Sequence, residues 1–139
     1  MSSTLDGGCH CGAIRYRVTG APELVELCHC ESCRKSIGSP LAAWAAFSHD
    51  KFELLTGHLK EHQSSQTVTR SFCSSCGTSL TLVDRRFAQE IYITIASLDQ
   101  AEALPPHFHI WRSQRLSWLE TADSLPRYRC FKSDGIVEE

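Results

Sequence analysis

"CHCESCRKSIGS", residues 28–39, sets Cys28, Cys30 and Cys33 within six positions. Three cysteines this close can grip one metal ion, and a tetrahedral ion takes four ligands. The stretch raises the question of the fourth ligand. It also sets the expected architecture, because cysteines in short groups organise a chain around metal as much as around an apolar core. Two more groups follow the same logic: Cys9 and Cys11 in "GGCHCGA", and Cys73 and Cys76 in "FCSSCGT". Cys130 stands alone among the eight cysteines. Seven grouped cysteines fill one four-cysteine site and leave three over.

The spacing has a physical reading. Zn–S bonds of about 2.3 Å put two sulfurs on one tetrahedral zinc roughly 3.8 Å apart. In a flat strand, residues i and i+2 lie roughly 6.6 Å apart. A C-x-C pair must therefore bend the chain, and Gly7, Gly8 and Gly12 allow it to. Gly77, directly after Cys76, can take positive φ and close a tight knuckle whose N–H groups face the sulfurs. The favoured partition joins Cys9, Cys11, Cys73 and Cys76 in one closed structural site that clamps the N-terminal strand to the middle of the chain. Spacing alone also permits Cys73 and Cys76 to join the second group.

Under the favoured partition, Cys28, Cys30 and Cys33 are three ligands around one open position, the pattern of a catalytic zinc. Three thiolates bring the complex to a net charge of −1, which makes the zinc a poor generator of hydroxide. It can still hold an exogenous thiol as a reactive thiolate. The ligand chemistry thus favours a thiol substrate over metal-assisted hydrolysis. Arg34 and Lys35 follow at once; they can offset the anionic site or hold a substrate carboxylate, or else simply solvate the turn. Two rivals stand beside this reading. Cys130 could supply an eighth thiolate and close the second site, or Cys28, Cys30 and Cys33 could form a disulfide without metal.

The remaining sequence sets the context. A chain of 139 residues suits one domain, and its formal charge of −2, with acidic and basic residues mixed, argues against nucleic acid or a membrane as the main partner. The start "MSSTLDGGCHCG" lacks a basic n-region and an apolar h-region, and "PLAAWAAF" is too short to span a bilayer, so the expected address is cytoplasmic. Thiols there stay reduced and bind metal or do redox chemistry. The pattern is mainly β. "AIRYRV" alternates, with Ile14, Tyr16 and Val18 against Arg15 and Arg17, and "EIYITIAS" alternates likewise. "KFELLTG", "TVTRSF" and "SLTLV" are shorter strand candidates. Helix is confined to a turn or two after Cys30 and near "LDQAEA". The expected domain runs over residues 5–128, with a polar, frayed tail over 129–139.

"GGCHCGAIRY", "CHCESCRKSIGSPLAAWAAF", "RSFCSSCGTSL", "ITIASLD" and "HIWRSQRLSWLETADSLPRY" resemble, in that order, the glutathione-dependent formaldehyde-activating enzyme family, which includes centromere protein V-like proteins. The resemblance runs from about Gly7 to Tyr128. It implies several small coiled antiparallel β-sheets organised around zinc, a fold called Mss-four-like. It also implies two zincs per chain: a structural one on Cys9, Cys11, Cys73 and Cys76, and a catalytic, more labile one on Cys28, Cys30 and Cys33. The reaction it implies is addition of glutathione to formaldehyde to give S-hydroxymethylglutathione, a carbon–sulfur lyase activity.

Other residues are read more plainly. His10 and His29 sit between ligand cysteines and are expected to point away from the metal. Trp44 and Phe47 would face opposite sides of a strand, one in the core and one walling the site. Ser117, Asp123, His107 and His109 offer the makings of a triad but have no nucleophile elbow, and His109, Trp111 and Trp118 read as core aromatics. Arg85, Arg86, Arg112, Arg115, Arg127 and Arg129 read mostly as surface. The functional expectation is a zinc-dependent enzyme joining a small thiol to an aldehyde. The alternative is a zinc-stabilised module that binds a protein partner without catalysis.

Overall fold

The computed structural model describes residues 3–138. Among them are ten strands and one α-helix, so the chain is mainly β. The strands are β1 (Thr4–Gly8), β2 (Arg15–Thr19), β3 (Leu24–Cys28), β4 (Ala42–Ser48), β5 (Phe52–Thr56), β6 (Lys60–Gln63), β7 (Val68–Phe72), β8 (Ser79–Asp84), β9 (Glu90–Thr94) and β10 (Phe108–Ile110). The helix α1 (Glu31–Ile37) follows β3. No described helix is long and apolar enough to cross a membrane. The described residues divide into two compact units, one of residues 3–24 and 45–104 and one of residues 25–44 and 105–138.

In the first unit, β1, β2 and β5 form an antiparallel sheet, with Leu5 opposite Val18 and Val18 opposite Phe52. The alternation read in "AIRYRV" is realised here. Tyr16 and Val18 are buried, while Arg15 and Arg17 reach Asp99 and Asp6 at the surface. The Tyr16 ring stacks on Phe52 with centroids 5.5 Å apart, and its hydroxyl meets Ser97 Oγ at 2.7 Å. A buried phenol needs such a partner. The antiparallel run β6–β7–β8–β9 buries Leu80 and Ile93. β9 ends at Thr94, short of the expected "EIYITIAS", because Thr94 Oγ1 bonds Ser79 O at 2.8 Å and the chain turns through a 3-10 segment, Ile95–Ser97.

Between β5 and β6, Gly57 has φ +83°, and an added Cβ would lie 2.5 Å from Ala13 O and 2.9 Å from Ile14 Cγ1. Both the backbone conformation and the close approach demand glycine. Gly57→Ala is expected to cost about 1–3 kcal/mol, read as a lower denaturant midpoint with unchanged slope.

In the second unit, β3 and β10 pair in parallel, with Ile110 opposite Cys28. The buried side chains include Val25, Trp44, Phe108 and Ile110. Trp44 and Phe47 were expected on opposite sides of a strand, one of them facing a ligand. Both are buried, because β4 is covered over most of its length. The segment from 129, expected to fray, is tied down through residue 138. Glu138 accepts from Arg112 Nε at 2.8 Å and from Arg115 Nη1 at 2.7 Å, and its N–H donates to Arg127 O at 2.7 Å. Two guanidinium groups on one carboxylate make charge-assisted bonds that outweigh the freedom of a terminus. Arg112, read from the sequence as surface, is therefore buried. Glu139 lies outside the described residues.

Candidate metal centres

Each cysteine cluster lies within one unit. In the first unit, β1 delivers Cys9 and the chain turns at once, Gly12 N–H donating to Cys9 O at 3.1 Å. β7 delivers Cys73 after a register irregularity at Ser71/Phe72. Gly77, with φ +81°, then closes the knuckle and donates its N–H to Cys73 O at 2.8 Å. The four sulfurs of Cys9, Cys11, Cys73 and Cys76 lie within 4.8 Å of one another. Cys9 Sγ to Cys11 Sγ is 3.6 Å and Cys11 Sγ to Cys73 Sγ is 3.8 Å. These match the edge of a tetrahedral zinc tetrathiolate, about 3.8 Å.

Amide donors surround the sulfurs. Ile14 N–H donates to Cys9 Sγ at 3.2 Å, and the Ser75 and Cys76 N–H groups donate to Cys73 Sγ at 3.4 and 3.5 Å. Cys76 lies 3.2 Å from Thr78 Oγ1, and that hydroxyl, with the Thr78 amide, pulls its thiol down to about 5. Cys11 goes the other way. The Ala13 amide pulls it down, but the sulfurs of Cys9, Cys73 and Cys76 outweigh it and push it up to about 11. Four crowded thiols cannot all ionise unless a cation joins them. The donor set fits zinc, which takes closed all-thiolate sites.

The second cluster sits on the β3–α1 turn. Cys28 ends β3, Cys30 is the N-cap of α1, and Cys33 lies in its first turn. Cys30 Sγ accepts from Cys33 N–H at 3.3 Å, so the thiol occupies the place where a serine hydroxyl commonly caps a helix. The three sulfurs lie within 4.8 Å of one another. Among the described residues no fourth cysteine, histidine or carboxylate joins them, and Cys130 is not in the group. Cys28 and Cys33 are buried, whereas Cys30 is half-buried and the most exposed of the three. Cys30, then Cys33, together with burial, push the Cys28 thiol well up. These three thiols, too, can all ionise only beside a cation.

Beyond Cys33, the α1 side chains Arg34 and Lys35 border an open groove of about 250 Å³ with Gly38, Ser39, Pro40, Leu116 and Trp118. Lys35 reaches Glu31 at 3.3 Å, both largely exposed, a pair worth little in water. Arg34 Nε is buried and has no hydrogen-bond partner among the described residues. Trp118, expected in the core, is 68% exposed and lines this groove.

The two histidines between ligand cysteines differ. His10 is exposed. His29 is fully buried, and its Nε2 lies 2.9 Å from His109 Nδ1. His109, also fully buried, has its Nε2 3.0 and 3.1 Å from the two Asp123 carboxylate oxygens. The sequence reading set Asp123 beside His109 as makings of a triad and missed His29. His29 and His109 are 80 residues apart, and only the parallel pairing of β3 with β10 brings them together. No local signal could have revealed it.

The fold and the two clusters define a class: small β proteins with grouped cysteines placed so that they could hold metal. The family model described as "Glutathione-dependent formaldehyde-activating enzyme" matches residues 4–114, and the chain belongs to that family. It is 30% identical over 138 residues to a Halomonas elongata protein named, by inference, as a glutathione-dependent formaldehyde-activating enzyme, covering 91% of this chain and 86% of that protein. It is 31% identical over 75 residues to an uncharacterized lyase of Schizosaccharomyces pombe, covering 54% of each chain. Among solved structures, a Rhodobacter sphaeroides protein superposes with a TM-score of 0.56 and 26% identity, covering 68% of this chain and 88% of that one.

Proposed function

We propose that the chain catalyses the reversible addition of a small anionic thiol of the glutathione type to an aldehyde such as formaldehyde. The thiol S–H adds across the carbonyl: sulfur bonds to carbon, and the proton ends on the new hydroxyl, giving an S-hydroxymethyl thiol. One observation carries this reading. Three sulfurs converge with no fourth ligand among the described residues, and one of them, Cys30, is only half-buried. The name of the family and that of the Halomonas relative agree with it.

Cys28, Cys30 and Cys33 would hold a zinc that, when bound, offers one open position where a thiol stays deprotonated and nucleophilic. Cys9, Cys11, Cys73 and Cys76 would hold a structural zinc. The chain's own groups do the rest. Cys28 and Cys33 anchor the turn from the buried side, and the Cys33 amide offsets negative charge at Cys30. Arg34 and Lys35 hold the carboxylates of the thiol along the groove, with Leu116 and Trp118 against its apolar stem. Holding sulfur and carbonyl carbon together lowers the barrier by proximity.

The test is zinc per chain on reduced protein, with and without glutathione, and in Cys130→Ser. Two zincs are expected, one of them labile, its exchange altered by glutathione and indifferent to Cys130→Ser. Two equally tight zincs, one lost with Cys130, would mean two closed structural sites and a non-catalytic, partner-binding module. The groove makes its own prediction. Arg34→Glu should raise KM for glutathione about tenfold, the low end of losing a hydrogen bond to a charged group, and leave KM for neutral 2-mercaptoethanol unchanged. Equal effects on both thiols would remove Arg34 from substrate binding.

A further inference from the structure

The line from Asp123 through His109 to His29 plays no part in the addition as proposed, yet it ends on the residue between two of the three cysteines. Both rings are fully buried, and their centroids lie 5.1 Å apart at 26°. Asp123 is itself held: Arg127 Nη1 donates to its Oδ1 at 3.1 Å and Leu125 N–H donates to the same oxygen at 3.0 Å. Arg127 in turn donates to Thr121 O and Oγ1 at 3.2 and 3.0 Å. The 121–127 loop is thus built to hold one carboxylate against His109. On the other side, the His29 backbone is tied to β10, its N–H donating to Ile110 O at 3.1 Å.

The geometry dictates where the protons sit. An ionised carboxylate only accepts, so His109 Nε2 carries the hydrogen. In a neutral ring the other nitrogen, Nδ1, is then a bare acceptor. His29 must answer with Nε2–H, which leaves its own Nδ1 bare, and that nitrogen is buried without a hydrogen-bond partner among the described residues. Both rings are locked as Nε2–H tautomers. Charges agree with this assignment. Burial lowers His109 against the pull of Asp123. Burial opposes the Asp123 charge, but hydrogen bonds from His109, Thr121 and the Leu125 amide outweigh it and hold the carboxyl below the usual carboxylate range.

We propose that Asp123 and His109 are positioning residues for the thiol site: they fix the tautomer and orientation of His29, and through it the Cys28–Cys30 turn. The role in catalysis rests on the addition reaction proposed above. A hydrogen-bond partner behind a metal-ligand shell typically changes metal affinity or activity about 10–100-fold when removed.

The experiment uses zinc-loaded protein and Asp123→Asn, with Asp123→Glu as the conservative variant. The asparagine amide can donate to His109 Nε2. The line then reverses, His109 Nδ1–H donating to His29 Nε2, and both rings become Nδ1–H tautomers. Long-range ¹H–¹⁵N NMR of the histidines reads this directly. Expected are Nε2–H rings in wild type and Asp123→Glu, and Nδ1–H rings in Asp123→Asn. Zinc per chain should be unchanged at saturating metal, kcat should fall about 10–100-fold at nearly constant KM in Asp123→Asn, and Asp123→Glu should recover most of it. Nδ1–H rings in the wild type would overturn the tautomer assignment, and reversed rings with full kcat, or rings that keep Nε2–H in Asp123→Asn while kcat is lost all the same, would overturn the positioning role. A wild type without thiol–aldehyde activity would refute the addition reaction, not the line. Cobalt-substituted protein then decides: d–d bands that move with the tautomers support positioning, and bands that do not move overturn it.

Discussion

Replacing Cys73 by serine is expected to leave the first unit unfolded at neutral pH. The residue is 2% exposed, its sulfur lies 3.8 Å from that of Cys11, and it accepts two amide hydrogen bonds. Serine removes one of four thiolates from the proposed structural zinc and leaves a poor ligand in a buried place. Structural zinc in small domains is worth about 10–16 kcal/mol at neutral pH, as much as the whole net stability of a domain, about 5–15 kcal/mol. Even partial loss of that affinity suffices. Loss of the near-UV circular dichroism and of a cooperative thermal transition would read the effect, and a strong chelator on the wild type should reproduce it. A Cys73→Ser chain that melts like the wild type and keeps two metals would show that these four sulfurs carry no metal-linked stability.

The second large effect is on activity with the fold retained. Cys30→Ser should abolish thiol–aldehyde addition above the uncatalysed background, a loss of more than about 100-fold, since even an outer partner of a ligand costs up to that. The fold should survive for a local reason. Cys30 is the N-cap of α1, its sulfur accepting from the Cys33 amide, and serine is among the best capping residues. The variant should therefore keep α1 and the first cluster's metal while losing the second. One metal per chain, an unchanged circular dichroism spectrum and no catalysis are the expected results. A fully metallated, active Cys30→Ser chain would rule out the proposed use of this cluster.

How far the fold could be read depended on how each strand meets solvent. β2 and β9 were legible because one face is buried and the other half-exposed, so polarity alternates. β5, β7 and β8 carry β-branched or aromatic residues between turn signals. β4, "AAWAAFS", entered the sequence reading only through the facing of Trp44 and Phe47 on a strand and was not among the strand candidates, because burial over most of its length erases the alternation. β6, "KEHQ", is exposed throughout and offers no apolar signal. β1 contains two glycines, and β10 is three residues long.

The chemistry of the two clusters was written locally. Two or three sulfurs of one short stretch can meet one ion only if the chain bends between them, so C-x-C, C-x-x-C and the glycines beside them can be read without coordinates. Which groups combine is a different matter. The spacing admitted two partitions and a role for Cys130, and only the folded chain brings Cys9 and Cys11 to Cys73 and Cys76 and leaves Cys130 out of both clusters. The same holds for the His29–His109–Asp123 line and for the Glu138 clasp on Arg112 and Arg115. Each depends on residues distant in the chain, and contacts of that range are settled by strand pairing and burial, which no short stretch of residues specifies alone.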